Sequence, residues 1–279
     1  MTKLLLILFI FSAHLFSSEQ IKLKAKQKHD IVRVKTSIPY KSVTYLQAYK
    51  RTGDKSNAHF ITQVSAEVNN QTVFQMSTGS SFPGNSMLKF SFPAKWAGET
   101  LKIIVRDNNG QIMQKSQKIK NVKKNVISKK LFIPTVNKKE INYRLTKPKV
   151  WGETTIDNAI TALYGKVNFI DRGIKLKAPK CVYNRVPINI KSNLELTSIA
   201  VFQSSSSYPT TAIITVFEKQ PIDYYLWINV RSDGSDDIQK IIVIGQDKEG
   251  KLYRAQQQVN AITYTHHHCN ENGEVEYDL

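Results

Sequence analysis

Acidic residues are scarce in this chain of 279 residues, with 22 Asp and Glu against 40 Lys and Arg and a formal excess of +18. Cysteine is scarcer still. Cys181 and Cys269 stand alone, so a spaced Cys-x-x-Cys array is absent. Paired catalytic carboxylates and a Gly-rich phosphate loop are missing too. The serine run Ser204 to Ser207 lacks the flanking glycines of a nucleophile elbow and reads as a loop. Together these absences leave no self-contained catalytic motif, and the chain reads as a non-enzyme. Beyond the first 16 residues no apolar run is long enough to cross a bilayer, so no membrane span is expected in the mature protein.

The basic excess is unevenly placed. Between Lys120 and Val150, nine Lys and one Arg face a single acid, Glu140, and this segment alone carries half the excess. It lacks the Gly-bearing aromatic motifs that stack bases, so no nucleic-acid partner is expected. A basic exported protein instead attracts small anions or acidic partner surfaces. The segment itself reads as a Lys-rich solvated connector.

The N-terminus is a separate element. Lys3 precedes an apolar run from Leu4 to Phe11, extended by Leu15 and Phe16, and polar Ser17 to Gln20 follow. That layout predicts a signal peptide over 1–18 and export. The two cysteines therefore face an oxidising compartment, where an even pair defaults to a disulfide. Sequence leaves open whether Cys269 is paired with Cys181 or free.

What remains is strand after strand. Ile21-Lys-Leu-Lys-Ala-Lys26 alternates as a strand with one wet face does, and Ile31 to Lys35 follows. Further strands are predicted at 60–68, 72–76, 87–92, 101–105 and 112–119. They are separated by Asn69-Asn70, Phe82 to Asn85, Ala97-Gly98 and the hairpin signal Asp107-Asn-Asn-Gly110. About seven short strands in about 100 residues describe a β-sandwich. One helix is predicted after the connector, capped by Thr154 or Thr155, striped by Ile156, Ala159, Ile160 and Leu163, and ended by Gly165. Strands then resume at 174–177, 186–190, 198–202, 212–217, 224–230, 241–244, 252–256 and 259–264, with a turn at Asp247 to Gly250. The fold expected is all-β, with two immunoglobulin-like sandwiches in tandem. Its divisions are a first sandwich over 20–120, a connector over 121–150, a second sandwich over 151–265 and a His/Cys-bearing acidic tail over 266–279.

Several stretches carry a family likeness. Ile21 to Lys26, Ala58-His-Phe-Ile61, Val68-Asn-Asn-Gln-Thr-Val73, Asn85-Ser-Met-Leu-Lys-Phe90 and Gly98 through Gly110 resemble SoxZ, one subunit of the Sox thiosulfate-oxidation sulfur carrier. Departures are Ser37-Ile-Pro-Tyr40, where the family has a His-Pro-Met stretch, and Asn85-Ser86, where it has Asn-Pro. The helix ending at Gly165, Ile174-Lys-Leu-Lys-Ala-Pro179, Val186-Pro187 and Ile199-Ala-Val-Phe202 resemble SoxY, the other subunit. The resemblance implies a fused SoxYZ-like carrier in the order Z then Y. Its setting would be the periplasm, its partners the sulfur-oxidation enzymes there, and its cargo thiosulfate or a related sulfur anion, with no cofactor.

The family's Y subunit carries sulfur on a Gly-Gly-Cys-Gly-Gly arm, and the resemblance puts Cys269 close to that place. Thiolate attack makes sulfur–sulfur bonds reversibly, and glycine flanks give a thin, mobile backbone. Here the flanks are His267 and His268 before, Asn270 and Glu271 after, and ten residues trail behind with four acids and no base. Neighbouring imidazoles favour a thiolate at Cys269. Two other readings accompany the sulfur-bearing thiol: a Cys181–Cys269 disulfide, and a copper or zinc site built from His266, His267, His268 and Cys269 in a metal-binding or redox-accessory protein. Consecutive strand residues point to opposite faces, which argues against a tidy metal site. A lone His59 and the residues Trp96, Trp151 and Trp227 read as structural.

Overall fold

The strict alternation at Ile21 to Lys26 becomes β1 (Lys22–Lys28), whose Leu23 and Ala25 are buried while Lys22, Lys24 and Lys26 face solvent. A computed structural model describes residues 20–96, 98–120, 141–230, 238–262, 267–272 and 275–277. The segment read from sequence as a signal peptide and most of the basic connector (121–140) lie outside the described residues. In the first half β1 is followed by β2 (Ile31–Ile38), β3 (Ile61–Val68), β4 (Gln71–Thr78), β5 (Ser86–Pro93), β6 (Thr100–Asp107) and β7 (Ile112–Lys118). The second half holds β8 (Phe169–Ile170), β9 (Ile174–Lys177), β10 (Cys181–Tyr183), β11 (Arg185–Ser192) and β12 (Leu196–Gln203). It continues with β13 (Thr210–Thr215), β14 (Ile222–Asn229), β15 (Ile238–Asp247), β16 (Leu252–Ile262), β17 (His267–Cys269) and β18 (Val275–Tyr277).

The all-β architecture with two immunoglobulin-like sandwiches is present, and the halves share both sheets. One sheet runs β1-β2-β5-β14-β11-β9; the other runs β10-β16-β15-β12-β13-β4-β3-β6-β7, with β8 beside β16. The junctions are antiparallel: β4 pairs β13 with Met76 opposite Ile214, and β5 pairs β14 with Leu88 opposite Leu226. The topology is close to a pseudo-dyad. Strands β1 to β7 map in order onto β9 and β11 to β16, so the chain makes with itself the self-complementary interface of a two-fold dimer. One apolar core runs through both halves, from Val32, Phe74 and Phe90 to Tyr224, Ile199 and Val243.

Hairpin chemistry repeats with the fold. Asp107 Oδ1 accepts Asn109 N and Gln111 N, and Gly110 takes φ 83°. Asp247 Oδ1 accepts Glu249 N and Lys251 N, and Gly250 takes φ 83°. Each carboxylate also receives a tyrosine hydroxyl, Tyr40 on Asp107 and Tyr253 on Asp247. The segments predicted at 252–256 and 259–264 belong, as far as Ile262, to one strand, β16, because Gln257 and Gln258 continue the ladder opposite Ile241 and Lys240; residues 263–264 lie outside the described residues.

The seam demands close approach. A Cβ on Gly79 would fall 2.2 Å from Thr210 O, and Gly79 N donates to Thr211 O at 2.9 Å. Phe74 meets Tyr224 edge-on at 6.1 Å, and Lys89 Nζ lies 4.3 Å from the Tyr225 ring centre. Strands β12, β13 and β15 are buried on both faces because helix α3 (Ile156–Tyr164) covers the outer one. Ala159, Ile160 and Leu163 pack there on Phe202, Ile213 and Ile244. Hence the near-continuous apolar runs of those strands. Thr155 caps α3 through Asn158 N, as the sequence predicts.

Two helices escape sequence reading. Helix α1 (Tyr45–Thr52) has a full capping box between Thr44 and Gln47 and ends at Gly53 in the left-handed region, φ 72°. The signal Thr-x-x-Gln followed by Gly was available. Helix α2 (Tyr143–Thr146), numbered here after α1 and before α3, lies in the connector. Its Arg144 donates to Thr78 O and sits 4.9 Å over the Trp151 ring. Burial pushes its pKa down from the usual guanidinium value. This basic residue is thus a pin between the halves and not a solvated connector charge.

Candidate functional site: a disulfide at the end of the second sandwich and a basic cleft at the seam

Cys181 is held in β10, which lies parallel to the end of β16 with Cys181 opposite Asn260. The approach to it is clamped: Ala178 N donates to Gln257 Oε1, Gln257 Nε2 donates to Ala178 O, and Asn260 N donates to Lys180 O. Asn184, at φ 54°, reverses the chain into β11, and its carbonyl accepts Val230 N. Sequence places Cys181 ahead of a strand; it belongs to one.

Cys269 ends β17, which pairs antiparallel with β18 in the register His267 to Tyr277, His268 to Glu276 and Cys269 to Val275. The acidic tail therefore folds back on the cysteine as a small hairpin. Cys181 and Cys269 are joined in a disulfide, with Cα atoms 5.7 Å apart and 88 residues between them in sequence. Of the two states that sequence leaves open for Cys269, free or paired with Cys181, this is the paired one, and its sulfur is not a free thiol here. Cys181 is buried at 9% exposure, whereas Cys269 is only half-buried. The sulfur more open to an incoming nucleophile is that of Cys269.

His268 is exposed and, as the neighbour of Cys269 on one strand, alternates to the other face. His266 lies outside the described residues, as does the side chain of His267. Among the described residues no group of three His, Cys, Asp or Glu could hold a metal ion. A bonded sulfur is also no thiolate ligand, so the copper or zinc reading loses its softest donor while the bond stands.

A second feature lies where the two halves meet. A cleft of about 560 Å³ is walled by Tyr40, Lys41, Arg51 and His59 from the first half and by Asn184, Arg185 and Asn229 from the second. Its floor is tight: a Cβ on Gly84 would lie 1.9 Å from Tyr40 O. Asn85 Oδ1 accepts Tyr40 N at 3.2 Å, and Arg185 reaches across the seam to donate to Asn85 O at 3.3 Å. The Tyr40 hydroxyl, partly buried and donating to Asp107, is held above the ordinary phenol pKa by desolvation first and the carboxylate second. Sequence reasoning missed this cleft because its cations come from four separate segments with no common spacing.

The other singled-out residues are structural. His59 is half-buried, with Nδ1 3.4 Å from Asn57 O and its ring edge-on to Tyr40. Trp151 Nε1 donates to Tyr143 O, Trp227 Nε1 donates to the Tyr225 hydroxyl, and Trp96 packs against the core.

Comparison with known proteins adds to the geometry. A family model described as sulphur oxidation protein SoxZ matches residues 21–118, a span ending on the last residue of β7. No curated protein matches the chain. Among solved structures, the sulfur carrier protein SoxY from Chlorobium limicola f thiosulfatophilum is 26% identical, over 39% of this chain and 96% of that one, with a TM-score of 0.32. A superoxide reductase (neelaredoxin) from Ignicoccus hospitalis is 11% identical over 33% of this chain and 81% of that one, TM-score 0.27. Murine CEACAM1b is 9% identical over 87% of this chain and 100% of that one, TM-score 0.24. The first half is therefore SoxZ-like over residues 21–118.

Proposed function

We propose that this chain, SoxZ-like over residues 21–118, is a periplasmic SoxYZ-like sulfur carrier. In this reading its carrier sulfur, on Cys269, rests in a disulfide with Cys181. The observation that carries the reading is the pairing of a half-buried Cys269 with a buried Cys181 in a chain with a SoxZ-like half.

The disulfide supplies its own chemistry. A sulfur anion such as the terminal sulfur of thiosulfate attacks Sγ of Cys269. The Sγ–Sγ bond breaks, a new bond from Cys269 Sγ to the incoming sulfur forms, and Cys181 leaves as a thiolate that takes up a proton from water. The two electrons accepted by the old bond balance those given by the incoming sulfur, and no outside oxidant is needed. The reverse attack by Cys181 on Cys269 discharges the adduct as an anion and restores the bond. No further step is assigned to this chain; sulfur-oxidation enzymes are the partners that would act on the adduct. Because the glycine flanks of the family arm are replaced and a hairpin follows, the partner's site would be an open surface and not a narrow channel.

Intact-mass measurement tests this. Purified oxidised protein is incubated with thiosulfate, with and without a prior pulse of reductant, and alkylated to trap free thiols. The expected product carries one sulfur adduct and one alkylated thiol, Cys181, with the adduct mapped to the Cys269 peptide. The reading fails if the disulfide never exchanges, or if Cys269→Ser still acquires the adduct.

A further inference from the structure

We infer that the basic cleft at the seam between the two halves is a binding site for a divalent oxoanion of the thiosulfate, sulfate or phosphate kind. Four side chains that carry or can carry positive charge line it, Lys41, Arg51, His59 and Arg185, and among the described residues no Asp or Glu does. Asp107, which touches the wall only through the Tyr40 hydroxyl, is occupied by that donor and by Asn109 N and Gln111 N. Asn85, Asn184 and Asn229 add carboxamide groups able to donate to anion oxygens.

A second observation is independent of charge. Ser42 also lines the cleft, and its hydroxyl is shielded from solvent with no hydrogen-bond partner among the described residues. A shielded donor left unpaired is costly, and rotation of the Ser42 side chain toward the cleft would let a ligand oxygen satisfy it. The frame is pre-formed, since the backbone contact at Gly84 and the Asn85 bond to Tyr40 N fix the loop that bears Lys41 and Ser42. Arginine held by a backbone carbonyl on one side keeps further guanidinium donors for a planar or tetrahedral anion. The cleft volume exceeds one such anion several-fold, so the anion would sit with part of its water shell.

The location gives the site a use, and this part rests on the proposed function. Asn184 is three residues from Cys181, which puts their Cα atoms within about 10 Å of each other. An oxoanion held there would raise the local concentration of a sulfur anion beside the disulfide and would offset the repulsion of the acidic tail. The site needs residues of both halves.

The test is isothermal titration of the full mature chain with sodium thiosulfate and, separately, sodium phosphate, at ionic strength held constant with sodium chloride. The Cys181→Ser, Cys269→Ser double variant is run alongside, so that exchange at sulfur plays no part. One saturable site is expected in both proteins, weakened about tenfold or more by Arg185→Gln, as for loss of one charge-assisted hydrogen bond. Lys41→Gln, which removes no observed contact in the frame, is expected to weaken it as well. The paired change of exposed Lys24 and Lys26 to Gln, on β1, should leave it unchanged. A thiosulfate preference would tie the site to sulfur handling, while equal binding of phosphate would make it a general oxoanion site; both support the inference. It is overturned if neither anion binds, or if the β1 lysine variant loses as much affinity as the cleft variants, which would show net charge alone at work. A disulfide that never exchanges leaves this result standing, and the converse holds too.

Discussion

Reducing the Cys181–Cys269 bond should weaken the folded state by a calculable amount. The bond closes a segment spanning 88 residues, from β10 to β17. The chain-entropy relation gives roughly 15 cal/mol/K for a loop of that length, or about 4.6 kcal/mol at 25 °C. Part of this is returned, because in the reduced native protein the β17–β18 hairpin regains freedom of its own. A loss of about 2–4 kcal/mol is therefore expected. The β-sheet pairings of β9 to β16 do not involve the bond, so the fold itself should persist. The assay is urea unfolding followed by tryptophan fluorescence, with and without a phosphine reductant. The midpoint should fall on reduction, and the urea dependence should steepen, since the unbridged unfolded chain exposes more surface. The Cys181→Ser, Cys269→Ser double variant should match the reduced protein and ignore reductant. A wild-type midpoint that does not respond to reductant would refute the pairing and, with it, the disulfide-stored carrier.

Other outcomes follow from the seam. Gly79→Ala sets a Cβ against the carbonyl of Thr210 at 2.2 Å, so the two halves must shift apart locally. A loss of about 2–3 kcal/mol is expected in the same unfolding assay, and a neutral result would mean the strands at that junction are not in register. Tyr224 is fully buried in the shared core and its hydroxyl has no partner among the described residues. Tyr224→Phe should therefore stabilise by about 1 kcal/mol, and a clear destabilisation would argue for a hidden partner. Burial holds the folded pKa of Tyr224 above the ordinary value of 10, so its contribution is full below pH 10 and declines as pH rises beyond it, where only the unfolded chain ionises. The alkaline fall in stability should be shallower in Tyr224→Phe than in the wild type, as read from urea midpoints at pH 9 and pH 11.

Local chemistry was enough to read most strands. Ile21 to Lys26 alternates because one face of β1 is wet, and Asp107-Asn-Asn-Gly110 reads as a turn because its Asp side chain and Gly backbone build the hairpin without outside help. Thr155 and Gly165 mark helix α3 for the same reason. Helix α1 was equally local, and its Thr44 and Gln47 box was overlooked against a strand-rich background. The break predicted inside β16 came from Gln257 and Gln258: Gln258 is on the wet face, and Gln257, on the other, bonds both backbone groups of Ala178.

From sequence alone came the all-β class, the two-sandwich plan and the SoxZ-like character of the first half, since alternation, turn residues and family-like stretches are properties of short segments. Sequence also named Cys181 and Cys269 but left their partnership open, because 88 residues of chain say nothing about where two sulfurs meet. Tertiary structure decided the rest. Pairing of β4 with β13 and of β5 with β14 merges the halves into common sheets, a result of complementary edges that no single strand encodes. The same merger turns Arg144 from a connector charge into a buried pin and gathers Lys41, Arg51, His59 and Arg185 into one cleft. Through-space electrostatics and close backbone approach depend on which edges meet, and only the folded chain fixes that.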